Sequence, residues 1–114
     1  MKKEYPIACA FGVFNADQRQ AYQEIVVKLN QARQSVKASS EGFEFTYDGS
    51  LETLLQLTEW LNYERRCCPF LTFTLTLDDV ESPLRLNISG SEEAIRFVQH
   101  EFESKNIIEV NTPY

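Results

Sequence analysis

A chain of 114 residues, 43% hydrophobic and 25% charged, reads as one α+β domain spanning residues 1–114 rather than a disordered or fibrous chain. Seventeen acidic residues against eleven basic give a net charge of -6, which argues against nucleic acid and an anionic membrane surface as partners. No apolar run approaches the roughly 18 residues needed to span a bilayer.

Glu4 to Phe14 is short, apolar and β-prone, and reads as a first strand with Cys9 in its middle. Asn15 then supplies an N-cap, with Gln18 three residues on completing a capping box. Tyr22, Ile25, Val26 and Leu29 recur at helical spacing, so a helix of about 18 residues from Ala16 follows. Val36 to Tyr47 is extended, and Glu41-Gly42 turns a short strand, Val36 to Ser39, into one where Phe43, Phe45 and Tyr47 share a face.

Ser50 caps a second helix from Leu51 to about Cys67, which stacks Leu54, Leu57 and Leu61 and stops before Pro69. Leu71, Phe73, Leu75 and Leu77 alternate with threonines in an uncharged strand. Such a strand is expected at a covered, central place in the sheet. After the polar turn Asp78 to Pro83, Leu84, Leu86 and Ile88 form the returning strand. Ser91 caps a last helix that turns Ala94, Val98 and Phe102 inward and His100 outward. Ile107, Ile108 and Val110 add an edge strand or a packed tail. The element order implies a two-layer sandwich, a mainly antiparallel sheet with helices on one face, ferredoxin-like in its first six elements.

The chemistry concentrates in Glu64-Arg65-Arg66-Cys67-Cys68-Pro69-Phe70. On a wheel of about 100° per residue, Leu54, Leu57, Leu61 and Cys68 share an arc, with Trp60 and Cys67 at its margin. Glu64 falls inside that stripe and near the negative end of the helix dipole, two local violations of the kind found at functional sites. Four readings of the cysteine pair compete. It packs as small core hydrophobes; it holds a soft metal or metalloid ion, with Glu64 or Cys9 as a further ligand; it acts as a redox or nucleophilic thiol; or a small ligand or protein docks nearby against Trp60, Tyr63 and Phe70. A helix C-terminus raises a thiol's pKa, which weighs against the nucleophile. A bond between adjacent cysteines is strained, which weighs against a Cys67–Cys68 disulfide.

Three cysteines without spaced pairs argue against a secreted disulfide framework, so a cytoplasmic setting with reduced thiols is expected. Lone His100 gives no credible catalytic base, and Ser89-Gly90-Ser91 reads as a turn and cap rather than a phosphate site.

The block Glu64-Arg65-Arg66-Cys67-Cys68-Pro69-Phe70-Leu71, with Phe73 after it, resembles a motif of small uncharacterised bacterial proteins carrying E-R-x-C-C-P-F. In that family an early cysteine precedes the first helix, and Cys9 is similar to it, although Cys9-Ala10-Phe11 departs from the family's C-x-L. The resemblance implies a thiol-based role and supplies no reaction. The expectation is a domain binding a thiophilic ion through Cys67 and Cys68, with Glu64 and Cys9 as auxiliary ligands, and more readily a binder than an enzyme. The alternative is a non-enzymatic interaction or self-association domain, such as a homodimer, in which the cysteines are structural.

Overall fold

The computed structural model describes residues 12, 14–39 and 41–104. The strand expected over Glu4 to Phe14, except Gly12 and Phe14, and the tail with Ile107, Ile108 and Val110 lie outside the described residues. Seven elements follow in order: α1 (Ala16–Ala32), β1 (Arg33–Ser39), β2 (Gly42–Tyr47), α2 (Leu51–Cys67), β3 (Thr72–Thr76), β4 (Leu84–Ser89) and α3 (Glu92–Ser104).

Local chemistry accounts for the helix starts. Asn15 Oδ1 accepts from Gln18 N at 2.8 Å, while Gln18 Oε1 accepts from Asn15 N at 2.9 Å. This reciprocal pair satisfies two amide donors that the first turn would otherwise leave orphaned. At α2, Ser50 Oγ accepts from Thr53 N at 3.1 Å, and Asp48 accepts from both Ser50 N and Thr53 Oγ1 at 2.9 Å. The hydrogen bonds from Ser50, and then from Thr53, hold the Asp48 carboxyl below its usual range. Ser91 repeats the device at α3, accepting from Ala94 N at 3.1 Å.

The four strands form one antiparallel sheet in the order β1-β2-β4-β3. Register places Phe43 opposite Ile88, Phe45 opposite Leu86 and Tyr47 opposite Leu84, so all six side chains face one layer and are buried. The helices cover that layer. Phe102 of α3 meets Phe43 and Phe45, each at 5.7 Å between ring centres, and Trp60 of α2 meets Phe73 at 6.5 Å. Lys37, Glu44, Thr46, Thr74, Arg85 and Asn87 lie on the opposite, polar face.

Two expectations need correction. Among the described residues β3 pairs with β4 alone and stands at the edge of the sheet rather than its centre, because β4 inserts between it and β2. Its inward residues Phe73 and Leu75 are half-buried. The buried stripe of α2 is also rotated from the leucine arc: Thr53, Leu57, Trp60, Glu64 and Cys67 are buried, whereas Leu54 and Leu61 are half-buried. The second correction matters for function, because it moves Glu64 and Cys67 to the middle of the packed face.

Candidate functional site around Glu64 and the cysteine pair

Glu64 is 2% exposed, in the last turn of a helix whose own dipole disfavours a carboxylate there. A buried carboxyl must be hydrogen-bonded to be tolerated. Tyr22 of α1, 42 residues away in sequence, donates its hydroxyl to Glu64 Oε1 in a short hydrogen bond. The Trp60 indole, itself buried, lies close enough to Tyr22 to act on its phenol. The phenol-to-carboxyl bond crosses the α1–α2 contact and accounts for the burial of both polar tips at once.

Both cysteines close the same helix. Cys67 is 1% exposed and disulfide-bonded; Cys68 is 5% exposed and remains a thiol. The expectation of reduced cysteines therefore does not hold for Cys67, while the pair avoids the strained bond between neighbours. Cys68 N donates to the Glu64 carbonyl at 2.6 Å as the C-cap, and its φ of -125° and ψ of 66° leave the helix there. Its own carbonyl accepts from Leu71 N at 3.2 Å, which turns the chain toward β3. Pro69 follows directly, so the chain cannot continue the helix past the sulfurs.

The Cys68 thiol lies close enough to Tyr22 to act on its ionisation. Burial first, then the Glu64 charge and its hydrogen bond, push the Tyr22 phenol far above its ordinary value, against the smaller opposing pull of the Trp60 indole. Tyr47 is likewise raised, chiefly by burial, with Arg33 opposing. A raised phenol binds its proton more tightly in the folded chain than in the unfolded one. Stability is therefore fully present below about pH 10, where an unfolded tyrosine titrates, and is lost as pH climbs toward the folded values. Each group steepens that loss by up to about 1.4 kcal/mol per pH unit. Urea midpoints measured across this range should fall steeply, and Tyr47→Phe should lessen the slope. A flat profile above pH 10 would show that neither phenol is held neutral by the fold.

The aromatic residues expected to receive a ligand have packing partners. Trp60 is buried against Phe73; Tyr63 is half-buried between Phe14 at 5.2 Å and Tyr22 at 6.0 Å; Phe70 is half-buried against Phe97 at 5.7 Å. The guanidinium of Arg66 sits 5.0 Å from the centre of the Phe14 ring, a cation–π contact at the rim of this cluster. A cavity of about 10 Å³ between Trp60, Tyr47, Val26, Leu29 and Asn30 has room for a single water at most.

Cys9 lies outside the described residues. Among those described, no group of three or more His, Cys, Asp or Glu side chains is arranged to hold a metal ion. No described helix is long and apolar enough to cross a membrane. Sequence reasoning brought Glu64, Cys67 and Cys68 together and overlooked Tyr22, which it placed on an apolar helix face. The one signal was a tyrosine, a residue whose hydroxyl seeks a partner when buried. No family model, curated protein or solved structure matches this chain.

Proposed function

We propose that this chain binds a thiophilic metal or metalloid ion through Cys67 and Cys68 when both are thiols, with Glu64 and Cys9 as auxiliary ligands. The observation that carries the reading is a helix end where two neighbouring cysteines share a buried turn with a carboxyl group held by Tyr22. Sulfur ligands select soft cations, and binding displaces the thiol protons. A cytoplasmic setting, where thiols are kept reduced, suits such a role. The likeness of the Glu64-to-Phe70 block to the bacterial E-R-x-C-C-P-F motif favours a thiol-based function too.

Reduction with a phosphine followed by cadmium titration tests this. The expected result is a saturable thiolate-to-cadmium absorption band, abolished in the Cys67→Ser, Cys68→Ser double variant. A reduced wild-type chain that gives no band would overturn it.

A second reading draws on different residues. Leu51 and Leu55, one turn apart on α2, and Leu77 and Val80 beyond β3 are exposed. They favour an interaction or self-association domain in which the cysteines only pack. Sedimentation would then find a dimer or complex indifferent to thiol reagents, and the double cysteine variant would lose stability without any change in ion binding.

A further inference from the structure

We propose that the outer face of α2 pairs antiparallel with α2 of a second copy of this chain; this rests on the self-association reading above and gives it a surface. Leu51 is 69% exposed and Leu55 59%, although leucine is among the residues most often buried. At about 100° per residue both fall on one side of the helix with Thr58, Asn62 and Arg65. That side is opposite the buried stripe running from Thr53 to Cys67, and half-buried Leu54 and Leu61 border it.

The same side carries a receptor for a leucine. Thr58, Leu61, Asn62 and Arg65 line a shallow hollow of about 330 Å³. Their spacing of i, i+3, i+4 and i+7 is that of the four residues that receive a knob in helix-on-helix packing. Knob and hollow on one helix, about two turns apart, make the face self-complementary, as a two-fold pairing requires. With Leu55 of each copy seated in the other's hollow, the two-fold axis passes near Thr58 and the helices run in opposite directions. Leu51 then lies along the aliphatic stem of Arg65 of the second copy.

Charge selects that direction. Glu52 stands in the first turn of α2 and Arg65 and Arg66 in its last, and all three are exposed. Antiparallel pairing brings Glu52 of each copy to the arginine end of the other, whereas parallel pairing sets like charges together. The helix dipoles are also opposed in the antiparallel arrangement. One contact is adverse: Glu59, on the Glu52 flank and close to the axis, meets its own copy. A seam as long as one 17-residue helix, about 25 Å, belongs at the small end of protein interfaces, so the pair forms reversibly.

Sedimentation equilibrium of the full chain over a concentration series tests this. The expected result is a monomer–dimer equilibrium in the micromolar range for the wild type and a monomer for Leu55→Lys. Glu52→Arg, and separately the Arg65→Glu, Arg66→Glu double variant, should each weaken the pair about tenfold, because both ends of the seam turn from attraction to repulsion. Mixed in equal amounts, these two variants should recover wild-type affinity, since each then meets opposite charge at both ends. Glu59→Gln should tighten the pair. Leu55 and Glu52 are exposed, so an unchanged helical circular dichroism spectrum separates lost association from lost folding. Val80→Lys, an exposed apolar position beyond β3, serves as the control. A dimer that Val80→Lys weakens and Leu55→Lys does not would overturn the α2 seam and leave self-association standing. A mixture of the charge variants no tighter than either alone would overturn the antiparallel pairing. A wild-type chain that stays monomeric throughout the series would overturn the seam and self-association together, and leave the leucine face to a different protein.

Discussion

Gly42→Ala is expected to destabilise the fold by about 3 kcal/mol or more, read as a lower urea midpoint at unchanged slope. Gly42 opens β2 with φ of 154°, a backbone conformation that side chains with a Cβ rarely adopt. It pairs with Ser89, and there the neighbouring strand comes too close for any side chain. A Cβ on Gly42 would lie 1.9 Å from the carbonyl oxygen of Ile88 and 3.1 Å from the Ser89 Cα. Those atoms belong to β4, the strand that joins β2 to β3, so they cannot withdraw without opening the centre of the sheet. Gly90→Ala is the internal control. Its Cβ would meet the Ala94 Cβ at 3.2 Å and the Leu71 Cδ2 at 3.3 Å, side-chain atoms that can yield by a few tenths of an ångström. If Gly42→Ala cost no more than Gly90→Ala, the close approach of β2 to β4 would be wrong.

The contrast between these glycines shows what could be read from the chain and what could not. Glu41-Gly42 marks a turn by composition, and the alternation of Phe43, Phe45 and Tyr47 marks a strand with one buried face; both follow from short-range rules. The capping box at Asn15 and the serine caps at Ser50 and Ser91 are equally local, and the helices begin where those residues stand. Strand neighbours are not local. An alternating strand such as Thr72–Thr76 looks the same at the edge of a sheet as at its centre. Only the insertion of β4 decides the matter.

The site divides along the same line. Glu64 could be singled out because a carboxyl within an apolar stripe at the wrong end of a helix breaks two local rules. Its explanation comes from another helix: Tyr22 is 42 residues away, and nothing in the spacing of α1 distinguishes a tyrosine that reaches a carboxyl from one that fills space. The leucine arc also misplaced the buried face. Leucines dominate a hydrophobicity wheel, yet here Thr53 and Glu64 occupy the buried stripe because Asp48 and Tyr22 satisfy them. Similarly, geometry argued against a bond between Cys67 and Cys68, while a bond from Cys67 to a distant sulfur depends on tertiary proximity that no spacing rule reports.

Tyr22→Phe should cost about 2 kcal/mol, measured by urea unfolding near neutral pH, because it takes from the buried Glu64 its hydroxyl donor. The aromatic ring stays, so the edge-on contact with Tyr63 survives and the loss is that of the hydrogen bond alone. Glu64→Met should also be costly on its own, since it leaves the Tyr22 hydroxyl buried without its acceptor. The double variant should then recover much of the combined loss, because replacing both members of a buried polar pair by apolar groups of similar volume is often close to neutral. The cycle should return a coupling of about 1–3 kcal/mol. Strict additivity would mean that Tyr22 and Glu64 do not share a hydrogen bond in solution. The double variant has a second use. If it regains stability, its reduced form tests whether a carboxyl group contributes to cadmium affinity separately from its part in the fold. Weaker binding on a recovered scaffold would assign Glu64 to the ion; unchanged binding would assign it to the α1–α2 contact and leave the sulfurs as the ligands.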